Sequence, residues 1–192
     1  MPEQPSLFTA SDLQGCYTVN LPKSPQMSAK TLQTWKQRVF QYQQRIQVSP
    51  AAQQGSLFAV APTAAEIAEA IDPFSLPQQN TAFWRWQAED AGVAALYFVI
   101  DTQLPILLYV GETVHSNQRW KGEHGCKSYI LNYVSVHHAH QLPVAVNISF
   151  YHWAPEMTRD RQQIESALIN QWRSPFNKEN WAFWGTPFTK RK

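Results

Sequence analysis

Residues 94–112, AALYFVIDTQLPILLYVGE, hold two apolar runs around a short polar turn. The runs, AALYFVID (94–101) and PILLYVGE (105–112), have the length of strands and are rich in β-branched and aromatic residues. Joined by DTQLP, they read as a β-hairpin, with Pro105 limiting pairing at one end because it carries no backbone N–H.

Working outward, VAVNISFYHW (144–153) sets Val144, Val146, Ile148 and Phe150 against Ala145, Asn147, Ser149 and Tyr151. That alternation predicts a third strand with one buried face. Between hairpin and strand, TVHSNQRWKG (113–122) predicts a short helix ending near Gly122. CKSYILNYVSVHHAHQ (126–141) predicts a longer one, with Tyr129, Ile130, Tyr133, Val134 and His137 on one side. TRDRQQIESALINQWR (158–173) predicts a last helix, with Thr158 as N-cap, Asp160 at its positive end and Pro175 as its stop. The order is strand, strand, helix, helix, strand, helix.

Upstream, residues 28–47 predict a helix capped by Ser28, with Leu32, Trp35, Val39, Tyr42 and Ile46 at steps of three and four. Residues 63–71 predict a short helix capped by Thr63 and closed before Pro73. Residues 72–92 are irregular and aromatic, and read as a flap or linker. The expected organisation is a tail (1–27), a helical and irregular extension (28–91), a regular domain (92–178) and an aromatic, basic C-terminal tail (179–192).

Composition bounds the function. Of 192 residues, 44% are hydrophobic and 16% charged, which suits a globular chain with one well-buried core rather than a disordered one. A net charge of +2 does not by itself mark a nucleic-acid binder; a local basic face is what matters. Cys16 and Cys126 lack C-x-x-C spacing and offer no disulfide framework. The stretch MPEQPSLFTASDLQG has no basic region leading into an apolar run, and no apolar run approaches membrane-helix length. The expectation is a soluble cytoplasmic protein with no membrane partner.

Polar residues interrupt these elements at telling places: Tyr97 and Tyr109 in the hairpin, Arg119 on the following helix, His124 after it, Glu165 in the last helix and Asn177 beyond it. Gly111 ends YVG, where a missing Cβ lets backbone approach a ligand. Each residue has an ordinary reading: tyrosine as a strand former, helix glutamate as a solvated charge, arginine as a surface cation over a packed ring.

Together they resemble the GIY-YIG nuclease domain of phage homing endonucleases, the bacterial excision-repair nuclease subunit and some restriction enzymes. ALY (95–97) and YVG (109–111) stand where that family's two motifs fall. QRW, with Arg119, looks like its helix arginine, and IESALINQWRSPFN like its glutamate helix and terminal asparagine segment. The resemblance covers residues 94 to 178 and implies an α+β fold, a three-stranded antiparallel sheet flanked by helices, here with an N-terminal helical extension. It further implies metal-dependent phosphodiester hydrolysis of DNA. Glu165 would be the single carboxylate anchor of Mg²⁺ or Mn²⁺, and Arg119 would pair with the scissile phosphate. Tyr97 would take the proton of the attacking water, although a phenol with a pKa near ~10 needs a nearby cation to do so at neutral pH. Tyr109 would orient phosphate or water, and Asn177 would hold the glutamate helix. Ala95 departs from the family's first glycine. Glu112 places a carboxylate where relatives carry non-acidic residues; it must point away or share the metal. His124 lies five residues after Arg119, and the family's histidine position is variable.

The histidines of HHAH (137–140) point in different directions on a helix, with no cysteine or carboxylate to complete a zinc set, and read as a wet helix end. The basic FTKRK end touches phosphates or is solvated. FWRW (83–86) and ENWAFWG (179–185) read as packing segments.

Three functions compete: a structure-dependent or repair-type nuclease, a site-specific restriction or homing enzyme, and a non-catalytic DNA-binding protein that keeps the fold. All the family's catalytic residue types are present, which speaks against the third. The second calls for a DNA-reading element, and helix 28–47, with Lys30, Lys36, Arg38 and Arg45, is only moderately basic.

Two stretches bear on the choice. QPSLF (Gln4, Leu7, Phe8) and QGSLF (Gln54, Leu57, Phe58) both resemble the peptide by which bacterial replication and repair proteins bind the sliding clamp. Leucine and phenylalanine would fill an apolar pocket while glutamine binds its rim. The alternative is ordinary tail or core residues, and SLFAVA also suits a buried strand. The first copy suits the peptide reading better, since its tail offers no evident core.

Overall fold

The computed structural model describes residues 27–49, 62–80, 91–119 and 125–188. Helix α1 (Ala29–Gln43) starts where the Ser28 side chain accepts the Thr31 N–H at 3.2 Å. It buries Leu32, Trp35, Val39 and Gln43 at helical spacing, and it ends four residues earlier than expected. Helix α2 (Ala64–Ala70) begins at a capping box between Thr63 and Glu66.

Strands β1 (Gln78–Asn80), β2 (Ala95–Asp101), β3 (Ile106–Thr113) and β4 (Val146–Tyr151) form one antiparallel sheet in the order β1-β4-β2-β3. The sheet therefore has four strands where three were expected. The fourth is β1, short, polar and exposed, which lies in the stretch read as irregular and pairs with the outer side of β4. It carries no apolar alternation because neither face of it is buried.

Helix α3 (Gly125–Ala139) turns Cys126, Ile130, Tyr133 and His137 inward. Helix α4 (Thr158–Trp172) is capped by Met157 rather than Thr158, and Met157 makes no side-chain cap bond. Thr158 is the first helical residue, and its Oγ1 accepts from Arg161 at 3.2 Å. A 3₁₀ turn (Lys178–Asn180) and helix α5 (Trp181–Trp184) follow.

The sheet separates two apolar layers. Against one face pack α1, α3 and the C-terminal aromatics, with Leu32, Trp35, Tyr133, Phe176, Trp184 and Phe188 around Tyr97, Val99 and Leu108. Against the other pack α2 and α4, with Ala68, Ile164, Leu168 and Trp172 around Leu96, Phe98 and Val110. Chain on both sides of residues 92–178 thus contributes to the first layer. Among the described residues, no helix is long and apolar enough to cross a membrane.

A buried polar network ties α1 to the sheet. Lys36 Nζ lies 2.8 Å from Asp101 Oδ2, which also accepts the Tyr133 hydroxyl at 2.6 Å. His137 Nδ1 is 2.7 Å from the Tyr133 carbonyl, so it carries the proton, and Nε2 accepts from Lys36 at 3.1 Å. His137 is therefore buried, not wet. Of the cations read as a basic face, Lys36 is spent on this pair and Arg38 lies over the Trp184 ring.

Strand β3 is an edge, and unpaired edge groups invite pairing with other chains. Here side-chain amides cover them. Gln43 Nε2 donates to the Leu107 carbonyl at 3.0 Å and its Oε1 accepts the Leu107 N–H at 2.8 Å. Asn177 makes the same pair of bonds with Val110, both at 2.9 Å. Asn177 therefore acts as a one-residue strand against β3, and Ser174 steadies it through a 2.7 Å bond.

Candidate functional site

A one-residue slip assembles the site. β2 and β3 pair regularly from Ala95↔Thr113 to Val99↔Tyr109, but the next pair is Ile100↔Leu107. Leu108 is the extra residue of a β-bulge, so Leu108 and Tyr109 face the same layer. Without the slip, alternation from Ile106 would send Tyr109 to the opposite face. With it, Tyr109 meets Tyr97, and the rings stack with centroids 5.9 Å apart.

Tyr97 stands opposite Gly111, and its ring lies across the glycine. A Cβ there would sit 2.2 Å from Tyr97 Cζ and 2.3 Å from its hydroxyl oxygen. The missing side chain of Gly111 makes room for Tyr97, not for a ligand as the sequence suggested.

Arg119 covers Tyr97. Its Nε donates to Tyr97 Oη at 3.1 Å, and its guanidinium carbon lies 5.6 Å from that ring's centroid. Ser116–Arg119 form a turn, so the described part of the expected helix is not helical. His124 falls outside the described residues, as do Gln4, Leu7, Phe8, Gln54, Leu57 and Phe58.

A pocket of about 300 Å³ opens beside these groups. Tyr109 of β3, Gly125, Cys126 and Tyr129 of α3, Glu165, Ser166 and Ile169 of α4, and Phe176 to Glu179 line it. Sequence-selected Tyr109, Glu165 and Asn177 thus share one cavity. Tyr97 is fully buried behind it.

Burial, then the charges of Glu112 and Glu179, push the Glu165 carboxyl up to about 7; Arg119 and the Glu112 N–H act against this. Burial also drives the Tyr97 and Tyr109 phenols well above their ordinary range. It does the same to the Cys126 thiol, which is therefore no ready nucleophile.

Glu112, the acidic departure after YVG, is compensated. Its Oε2 accepts Arg161 Nε at 2.7 Å. Fully buried, Arg161 also donates to the Pro155 and Glu156 carbonyls and to Thr158. Sequence reasoning missed Arg161, though it precedes Glu165 by four residues and so shares its helix face. Glu179 and Ser166 on the pocket wall were missed too; nothing in their spacing marks them.

Among the described residues, no group of three or more His, Cys, Asp and Glu side chains is arranged to hold a metal ion. Comparison of the chain with protein-family models, with curated proteins and with solved structures finds no match.

Proposed function

We propose that this protein is a metal-dependent DNA endonuclease of the GIY-YIG type, acting in repair- or replication-associated processing. The observation that carries the reading is one pocket that gathers the Tyr109 phenol and the Glu165 carboxylate, with Arg119 beside them. Three separate chain segments supply these groups, and they are the residue types phosphodiester hydrolysis needs.

Glu165 offers a hard oxygen donor in a cavity roomy enough for water, which fits a site where Mg²⁺ or Mn²⁺ takes one protein carboxylate and keeps most of its water. Such a cation, when bound, polarises the phosphate and makes its water easier to ionise. The chain's own residues do the rest. The Glu112 N–H holds Glu165 in place, and Arg161 pairs with the Glu112 carboxylate and offsets its charge beside the site. Arg119 neutralises charge on the non-bridging oxygens. Asn177 fixes the edge of β3, and with it Tyr109, against the segment after α4.

The two Q-x-S-L-F stretches extend the proposal to recruitment by the bacterial sliding clamp, two tethered copies raising effective concentration on a ring with several identical pockets. Co-elution with the clamp should weaken in a Leu7→Ala, Phe8→Ala variant; absence of co-elution by the wild type removes this part. The nuclease reading itself is tested by plasmid cleavage with Mg²⁺ or Mn²⁺, which Glu165→Ala should abolish. Undiminished cleavage by that variant overturns the assignment.

A further inference from the structure

A second cavity, of about 210 Å³, lies between α1, the β2–β3 turn and the end of α3. Its lining includes Lys36 and His137, both buried, the exposed side chains of Gln33, Gln37 and Gln103, and Leu142. None of these residues belongs to the pocket around Tyr109 and Glu165. The Lys36 ammonium has three N–H groups to place. Asp101 Oδ2 takes one at 2.8 Å, and His137 Nε2 takes a second at 3.1 Å. Among the described residues no third acceptor stands within hydrogen-bond distance. The Tyr133 ring, its centroid 5.6 Å away, feels the charge but is too far to accept an N–H. A donor on a side chain more than nine-tenths buried therefore lacks a partner beside a cavity.

We propose that this cavity binds a small neutral molecule of the amide or urea type, whose carbonyl oxygen accepts the third Lys36 N–H and whose own N–H groups meet the glutamines at the rim. The site stands apart from the nuclease reading. Charge selects the ligand. Asp101 balances Lys36, and His137 adds no charge: its proton sits on Nδ1, and burial above all holds the imidazole below its ordinary value. An anion would shed its water with no net positive charge to meet it, close to a carboxylate already shared by Lys36, Tyr133 and the Gln103 N–H. A cation would face the Lys36 ammonium. A neutral carbonyl meets neither cost. Size points the same way, since at ~30 Å³ per water the cavity has room for roughly seven, where the ammonium lacks a single acceptor. Gln33, Lys36 and Gln37 fall at steps of three and four along α1 and share one face. Glutamine carries both a carbonyl and an NH₂ group, so it pairs with an amide edge in either sense. Leu142 offers an apolar wall for the body of the ligand. Asp101 Oδ1 accepts the Gln103 N–H at 3.0 Å, which fixes the turn bearing the third glutamine to the carboxylate that holds Lys36. The groups are thus arranged before a ligand arrives, which lowers the cost of binding.

The test is a titration of the full chain with uracil, benzamide, acetate, inorganic phosphate and methylammonium, read in ¹H–¹⁵N spectra at the side-chain NH₂ signals of Gln33, Gln37 and Gln103. Uracil or benzamide should shift them with a dissociation constant of about 1 mM or tighter, as suits molecules of that size. The three charged probes should bind at least about tenfold more weakly. Gln33→Ala with Gln37→Ala replaces two exposed helix residues by the best helix former, so the fold is retained. That variant should weaken binding about fivefold or more. Lys36→Met with Asp101→Asn removes both charges together rather than leaving one buried alone, and should abolish binding. Where that pair does not fold, the glutamine variant decides. No shift with either neutral probe at about 10 mM overturns the proposal. So does acetate or phosphate binding as tightly as the neutral probes, or neutral-probe binding that the glutamine variant leaves unchanged.

Discussion

Gly111→Ala puts the packing of the tyrosine pair to the test. The new methyl carbon would sit 2.2 Å from Tyr97 Cζ, 2.3 Å from Oη and 2.7 Å from Cε1. Ordinary contact begins near 3.4 Å, so the ring must retreat by about 1.2 Å. It has nowhere to go, because Tyr109 stacks on it at 5.9 Å, Phe150 tilts against it at 6.2 Å, and Arg119 holds its hydroxyl. Overpacking of this kind costs about 1–3 kcal/mol. Displacing the hydroxyl from Arg119 adds about 1 kcal/mol. The expected loss is about 2–4 kcal/mol, read as a lowered urea midpoint and a Tm lower by roughly 5–15 °C. The control is the same substitution in a Tyr97→Leu background. With the ring gone, Gly111→Ala should cost less than about 0.5 kcal/mol more. Equal penalties in the two backgrounds, or a Gly111→Ala protein as stable as wild type, would mean that the Tyr97 ring does not fill the space beside Gly111.

Three further outcomes follow from the same geometry. Asn177→Ala leaves the Val110 N–H and carbonyl unpaired at a buried edge, and should cost about 2–4 kcal/mol in urea unfolding. Burial first, and the Lys36 charge next, hold the His137 imidazole below its ordinary value, with its bond to the Tyr133 carbonyl acting the other way. The folded state therefore keeps it neutral, so its contribution is intact above about pH 6.5 and is lost as pH falls from there towards the folded pKa. The wild type should lose stability over that window faster than His137→Gln, compared by urea midpoints from pH 7.5 to 5. On the nuclease reading, Glu165, raised to about 7, would hold a cation only when ionised, so cleavage should climb as pH rises through about 7. A rate flat from pH 6 to 8 contradicts that.

The hairpin, third strand and long helices were legible because their apolar spacing is a direct record of burial. β1 was not, since Gln78, Gln79 and Asn80 bury nothing and pair through backbone alone. The bulge was equally hidden: ILLYV offers interchangeable apolar residues, and register is set by partners across the sheet rather than by the run itself. That hidden slip puts Tyr109 beside Tyr97, so both tyrosines could be chosen from sequence but their meeting could not be derived. Gly111 was singled out for its missing Cβ, with the wrong neighbour assigned. Arg161 was passed over because a buried arginine shows itself only through the carboxylate and carbonyls that enclose it. His137 lay within the expected inward face of α3 yet was read as wet, since the Lys36–Asp101 pair beneath it is brought by α1 and β2.

Cleavage of supercoiled plasmid by purified wild type and Glu165→Gln, side by side in Mg²⁺, in Mn²⁺ and with chelator, tests the nuclease reading most directly. The wild type should give nicked or linear product in either metal and none with chelator, and the variant, its fold intact by thermal unfolding, should be at least roughly 100-fold slower. A folded Glu165→Gln protein that cuts as fast as wild type, or a wild type that leaves the plasmid supercoiled in both metals, would contradict it.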